Sequence, residues 1–171
     1  KKLENALSNG IFGTKMRSVI NSASIKGIND VVDQQFKLSH QIKKHNLIPI
    51  IEPEVTISIS DKENAEVILI QSILKNLEKM PKSNKVILKL SLPEIPNFYQ
   101  PLMNHESVLR VVALSGGYDQ INAIKKLECN NGMIASFSRA LTEGLSINQN
   151  DEEFNLIINK SINNIAKASK T

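Results

Sequence analysis

Apolar runs of strand length alternate with longer segments of helical period along this sequence, and that alternation predicts an α/β fold with a parallel sheet of βα units. Two further observations narrow the class. The candidate strands number five, too many for a small ferredoxin-like sandwich and too few for a closed eight-stranded barrel of about 250 residues. The opening KKLENALSNG reads as the end of a helix running straight into a strand. The predicted architecture is therefore the last five βα units of a (βα)8 TIM barrel, residues 1–171 being the C-terminal portion of a single domain whose first strands are missing. A doubly wound open sheet is the competing fold, but no GxGxxG turn follows any strand to favour it.

Phe12 to Ile20 (FGTKMRSVI) is the first predicted strand. The helical segment after it places Val31, Val32, Phe36 and Ile42 on one face, with Asn29 and Asp30 where an N-cap is useful. Leu47 to Val55 (LIPIIEPEV) forms the second strand. The next crossover opens with Asp61 and acidic residues and closes with Lys79 before Pro81, the polarity a helix dipole prefers. Lys85 to Leu92 (KVILKLSL) is the third strand; after it Pro93, Pro96 and Pro101 permit only a short or broken helix. Val108 to Ser115 (VLRVVALS) follows as the fourth, then a short helix ending at Gly132. Gly132 to Arg139 (GMIASFSR) is the fifth strand. A terminal amphipathic helix has Phe154, Leu156, Ile157, Ile162 and Ile165 as its apolar positions.

Composition excludes several classes of function. With 41% hydrophobic and 22% charged residues the chain is an ordinary globular one, and no apolar run approaches the roughly 20 residues of a membrane span. The N-terminus lacks the order of a signal peptide, so the expected location is cytoplasmic. A net charge of +4 is spread through amphipathic stretches, and with no Trp and 4% aromatics there is little to stack on bases. A small anionic substrate suits this excess better than nucleic acid. His40, His45 and His105 show no ligand spacing, and no metal site or cofactor is expected. Cys129 has no adjacent histidine to activate it and reads as a structural, buried residue.

A barrel strand is buried on both faces and should read as nearly continuous Val, Ile and Leu, so charged residues inside one are informative. In KVILKLSLP, Lys89 follows three apolar residues and precedes another. Burying an unpaired ammonium is costly, and the neutral amine is a carbonyl nucleophile. Lys15 and Arg17 stand two apart on the first strand, hence on one face, as do Glu52 and Glu54 on the second. Inward-facing, these five groups meet near the C-terminal mouth, where barrel enzymes do chemistry. The fourth strand ends in Ser115, Gly116 and Gly117, whose backbone amides can face an anion, and the fifth ends in SFSRAL, putting Arg139 at a neighbouring junction. Exposed amides beside an arginine fork suit a phosphate group.

The segments GTKMRS, IPIIEPEV, VILKLSLP, RVVALSGGY and IASFSRAL, in that order, resemble class I fructose-1,6-bisphosphate aldolase, most closely its bacterial form, from about Leu3 to Lys167. The resemblance implies a lyase of glycolysis and gluconeogenesis that reversibly cleaves fructose 1,6-bisphosphate through a lysine Schiff base, without metal or cofactor. By that resemblance Lys89 forms the imine, Glu52 is the general acid/base, Glu54 its hydrogen-bonded partner, and Lys15 positions the substrate and those carboxylates. Arg17 lies toward the second phosphate. Ser115, Gly116, Gly117 and Arg139 match the site for the phosphate at the ketone end, Ser136 lines the pocket near the imine, and Ser138 stands where animal relatives carry glycine. The terminal tyrosine of animal enzymes is absent from NNIAKASKT. The implied partner is a small sugar phosphate, with no nucleic acid and no membrane; a homo-oligomer is compatible. Another Schiff-base sugar-phosphate aldolase or a transaldolase is an alternative. So is an inactive fragment acting by association, because the family's early aspartate and lysine have no position here, and turnover is expected only when the missing part is supplied.

Overall fold

A computed structural model describes residues 1–171. In chain order the elements are α1 (Lys2–Ser8), β1 (Gly13–Ile20), α2 (Ile25–Lys43), β2 (Ile48–Val55), α3 (Lys62–Leu77), β3 (Val86–Ser91), α4 (Gln100–Met103), β4 (Val108–Leu114), α5 (Gln120–Glu128), β5 (Ile134–Ala135), α6 (Arg139–Thr142) and α7 (Asp151–Ala168). The strands form one parallel sheet in the order β1-β2-β3-β4-β5. Sequential strand order is what successive βα units produce when each crossover helix returns the chain on the same face of the sheet. Strands β1 and β5 are its edges.

The core lies between the sheet and its helices. Ile51, Leu88, Leu90, Val111 and Ala113 of the strands share one buried cluster with Ile28, Val32 and Phe36 of α2, Leu69 and Ile73 of α3, and Ala123 and Leu127 of α5. The strand period of two turns the alternate residues, including Lys15, Glu52 and Lys89, to the opposite face.

Several elements depart from the sequence expectation. Helix α2 begins earlier than Asn29: Ser24 is its N-cap and accepts from the Gly27 N–H, so a serine at the strand exit captures the free amides first. Asp61 stands at the N-cap of α3 but instead accepts from the Ala23 N–H at 2.7 Å, tying the β1 and β2 exits together. Helix α5 ends at Glu128; Gly132, at φ +82°, turns the chain into β5 and donates to the Thr171 carbonyl. Cys129 is exposed at the end of α5, contrary to the structural role expected of it. The largest difference is β5, two residues long where eight were expected. Its Ala135 N–H donates to Ser169 Oγ of the segment closing α7, so on that side a helix terminus occupies the position of a neighbouring strand.

The apolar face assigned to α7 is largely uncovered. Ile165 is buried with Ser161 and Ala168, whereas Phe154, Leu156 and Ile162 are exposed. The helix lies against α5, α6 and β5, and Ser161, Ile165 and Ala168 are its buried residues. No helix is long and apolar enough to cross a membrane.

Candidate active site

Adjacent parallel strands in register bring the charged residues into a row. Lys15 lies opposite Ile50 and Arg17 opposite Glu52, and each cation reaches diagonally to the carboxylate two residues farther along β2. The Lys15 ammonium pairs with Glu52 Oε2, and Arg17 Nε donates to Glu54 Oε2 at 2.8 Å. From the other side Lys89 Nζ stands 3.4 Å from Glu52 Oε1. Glu52 thus sits between two ammonium groups, one on each neighbouring strand. It is 3% exposed, deep enough for their charges to act with little solvent screening. The Lys15 contact leaves Glu52 Oε2 with no well-aligned hydrogen-bond donor, although the ion pair is close. The hydrogen bond from Arg17 to Glu54, then the Glu54 charge, hold the arginine above its ordinary pKa.

Local structure fixes this row from behind. Gln35 of α2 is buried, donates through Nε2 to Ser18 Oγ at 3.0 Å and accepts from the Glu52 N–H at 2.9 Å. Its amide therefore sets the backbone position of the central carboxylate. Sequence reasoning missed Gln35; the available signal was a polar residue on the same stripe as Val32 and Phe36. Ser91, two residues after Lys89, donates to the Val55 carbonyl at 2.7 Å and joins the ends of β2 and β3.

At the end of β4, Ser115 is buried and Gly116 and Gly117 have φ of +63° and +113°. The Tyr118 N–H closes the turn on the Ser115 carbonyl at 2.9 Å. Both central positions are left-handed, which glycine adopts without steric cost. A Cβ on Gly116 would also stand 2.8 Å from Ile57 Cγ2. The next strand contributes the second junction. The Ser136 N–H donates to the Ala113 carbonyl at 2.8 Å, extending the ladder by one bond; Ser138 is the N-cap of α6, without a side-chain capping bond, and Arg139 is its first residue, exposed and in no ion pair. Ser115–Gly117 and Ser136–Arg139 thus follow adjacent strands at the same edge of the sheet. All eleven residues singled out in the sequence lie on or just beyond the strands of the sheet; Lys15 stands in the first half of β1, and the other ten lie in the second half of their strands or just past the strand ends. The five charged ones form two connected contacts, Lys15–Glu52–Lys89 and Arg17–Glu54, while the phosphate-type residues make no direct bond to them.

A second polar cluster, also missed, lies just behind these loops. Lys62, at the start of α3, is buried and contacts Glu66, the Leu92 carbonyl at 2.9 Å and Glu94 Oε1 at 3.0 Å. Glu66 Oε2 accepts from the Glu94 N–H at 3.0 Å. Burial pushes the Glu66 carboxyl up, against the pull of that N–H and of Lys62. Burial would raise Glu94 too, but Lys62, then Lys126 and the Tyr118 hydroxyl, outweigh it and bring the carboxyl down to about 2. The i,i+4 pair Lys62 and Glu66 was visible in DKENAEV, but not its burial. No group of three or more His, Cys, Asp and Glu side chains is placed to hold a metal ion.

No protein-family model matches the chain. Over 169 residues it is 54% identical to the class 1 fructose-bisphosphate aldolases of Synechocystis sp. and of Clostridium acetobutylicum, and 48% identical to that of Porphyromonas gingivalis. The chain is homologous to the C-terminal part of these aldolases. Each match takes in 99% of this chain but 56–57% of the relative, so the chain spans little more than half the length of the curated relatives it matches. A solved ternary complex of fructose-bisphosphate aldolase from Plasmodium falciparum, with TRAP and a small-molecule inhibitor, superimposes with a TM-score of 0.74 at 15% identity, over 99% of this chain and 60% of that one. That likeness is one of fold. The five parallel βα units correspond to part of a TIM barrel, as the strand count required.

Proposed function

We propose that the chain supplies the Schiff-base centre and the ketone-end phosphate site of a class 1 fructose-bisphosphate aldolase, which reversibly cleaves fructose 1,6-bisphosphate. One observation carries the reading: Lys89 and Lys15 converge on one buried carboxylate, Glu52, from the strands on either side of it. The naming of the bacterial homologues supports it.

The proposed chemistry uses these groups in turn. Lys89 passes its ammonium proton to the Glu52 carboxylate, the neutral Nζ adds to the C2 carbonyl to form a carbinolamine, and Glu52 returns that proton to the departing hydroxyl, which leaves as water. The protonated imine is then an electron sink. A carboxylate at the Glu52 position takes the proton of the C4 hydroxyl, the C3–C4 bond breaks, and its electron pair passes into the enamine as glyceraldehyde 3-phosphate departs. Protonation at C3 and hydrolysis release dihydroxyacetone phosphate and regenerate the amine. Lys15 holds Glu52 in place and balances its charge, and Arg17, braced by Glu54, faces the far end of the substrate. Amides of the Ser115–Gly117 turn and the Arg139 guanidinium receive the phosphate next to the ketone, with Ser136 and Ser138 lining the same junction. We assign the reaction to glycolysis and gluconeogenesis, in the cytoplasm where sugar phosphates are metabolised, and to a closed barrel of which these five units are a part.

Borohydride reduction in the presence of dihydroxyacetone phosphate, followed by peptide mass spectrometry, is expected to label Lys89 in the full-length protein. Lys89→Met is expected to abolish the label and lower turnover by at least about a thousandfold. A label on another lysine sinks the assignment. A Lys89 label without preferential cleavage of the bisphosphate moves the protein to another sugar-phosphate aldolase or a transaldolase.

A further inference from the structure

We propose that the cluster Lys62, Glu66, Glu94, Tyr118 and Lys126 is a brace that fixes the Ser115–Gly117 turn relative to strand β3, and so sets the spacing between the bound phosphate and Lys89. The inference rests on the aldolase reading above and adds residues to it that touch neither substrate nor reacting atoms.

Connectivity is the first argument. Tyr118 is the residue that closes the glycine turn, and its hydroxyl donates to Glu94 Oε1 at 3.0 Å. Glu94 belongs to the segment leaving β3, five residues after Lys89. The same carboxylate holds buried Lys62 on α3, while its other oxygen faces Lys126 of α5 at 3.2 Å. Lys126 in turn lies over the Tyr118 ring, 5.2 Å from its centroid. Lys62 also binds the Leu92 carbonyl at the end of β3. One carboxylate thereby joins the exits of β2, β3 and β4.

Charge is the second argument. Two ammonium groups and two carboxylates compensate one another within the cluster, so it presents no spare cation to attract a phosphate. Its contribution to an anion site is therefore positional. A turn whose central residues both have positive φ has only glycine in it and little side-chain packing of its own to hold it. Besides Ile57 beneath it, the Tyr118 hydroxyl bond is its side-chain tether. Burial and then the bond to Glu94 hold the phenol well above its ordinary pKa, so it stays a donor through the working range.

Tyr118→Phe removes the hydroxyl and keeps the ring. In the full-length protein its rate of borohydride trapping is compared for dihydroxyacetone phosphate and for dihydroxyacetone, both below saturation. The expected result is a fall of about three- to tenfold with the phosphate ester and less than about twofold with the unphosphorylated ketone. Glu94→Ala, which removes the acceptor that glutamine would retain, is expected to reproduce the pattern, and the double variant to lose no more than the larger single effect, because both changes cut one tether. Equal losses with both ketones, no loss with either, or additive losses overturn the brace. Failure of the unsubstituted protein to be labelled at Lys89 overturns the aldolase reading itself, and the two failures are told apart by that control.

Discussion

The two halves of the site are built in opposite ways. The β1–β3 half is made of side chains on long, regular strands, where a repeated diagonal offset pairs Lys15 with Glu52 and Arg17 with Glu54. The β4–β5 half is made of backbone: two left-handed glycines, a two-residue strand and an arginine with no partner. The proposed reaction asks for proton transfer and imine formation by charged groups held in fixed positions, which register and burial supply. A phosphate needs several donors that converge, and a turn supplies them without burying any charge before the ligand arrives. Damage to the first half should therefore appear in turnover, and damage to the second in substrate affinity.

Glu52→Gln is the strongest way to break this contrast. The substitution keeps the shape and removes the one charge shared by Lys15 and Lys89. We expect kcat to fall by about 10²- to 10⁴-fold with KM altered far less, measured by steady-state cleavage of fructose 1,6-bisphosphate. A loss expressed mainly in KM would mean that Glu52 only shapes the pocket.

Weaker effects are expected from the other half. Arg139→Ala should raise KM by about tenfold and leave the melting temperature unchanged, because the exposed guanidinium has no protein partner to lose. Gly116→Ala should raise KM similarly but also lower stability by about 1–3 kcal/mol, since the new Cβ meets both a left-handed φ and Ile57. Thermal denaturation beside kinetics separates the two. An Arg139 variant that melts early, or a Gly116 variant with normal KM, would erase the distinction between a contact that serves only the ligand and a turn that serves both.

The same division governs what is legible in the sequence. Charged residues two apart in otherwise apolar strands are conspicuous, and strand period alone puts them on one face, so the Lys15–Glu52–Lys89 row can be read from residue order and strand period. The strand order follows from the alternation of elements. The extent of β5 does not, because its apolar residues run on to Phe137 while the ladder to β4 ends at the Ser136 N–H. Nor does the exposure of Phe154, Leu156 and Ile162 on α7, since amphipathic spacing says that a face is apolar but not what lies against it. Gln35, Lys62 and Glu66 escape for the converse reason: a polar residue on a helix reads as solvated until its tertiary partners are known.

The smallest expected effect tests the link between the halves through pH. The folded-state carboxyl of Glu94 is depressed from 4.5 to about 2, so its contribution to stability is complete above its unfolded value and is lost as pH falls through that interval. The carboxyl of Glu66 is shifted the other way by burial, and its protonation on acidification favours the folded state. Two carboxylates sharing Lys62 thus have opposite pH signs. Urea midpoints measured from about pH 5 down to about pH 2.5 should fall less steeply in Glu94→Gln than in the unsubstituted protein, and more steeply in Glu66→Gln. Because the Glu94 side chain is 38% exposed, solvent screening keeps its share below about 1 kcal/mol, so the slope is the quantity to read. Parallel slopes in all three proteins would show that Glu94 is not held by charge, and the tether from β3 to the glycine turn would then rest on the Tyr118 hydroxyl alone.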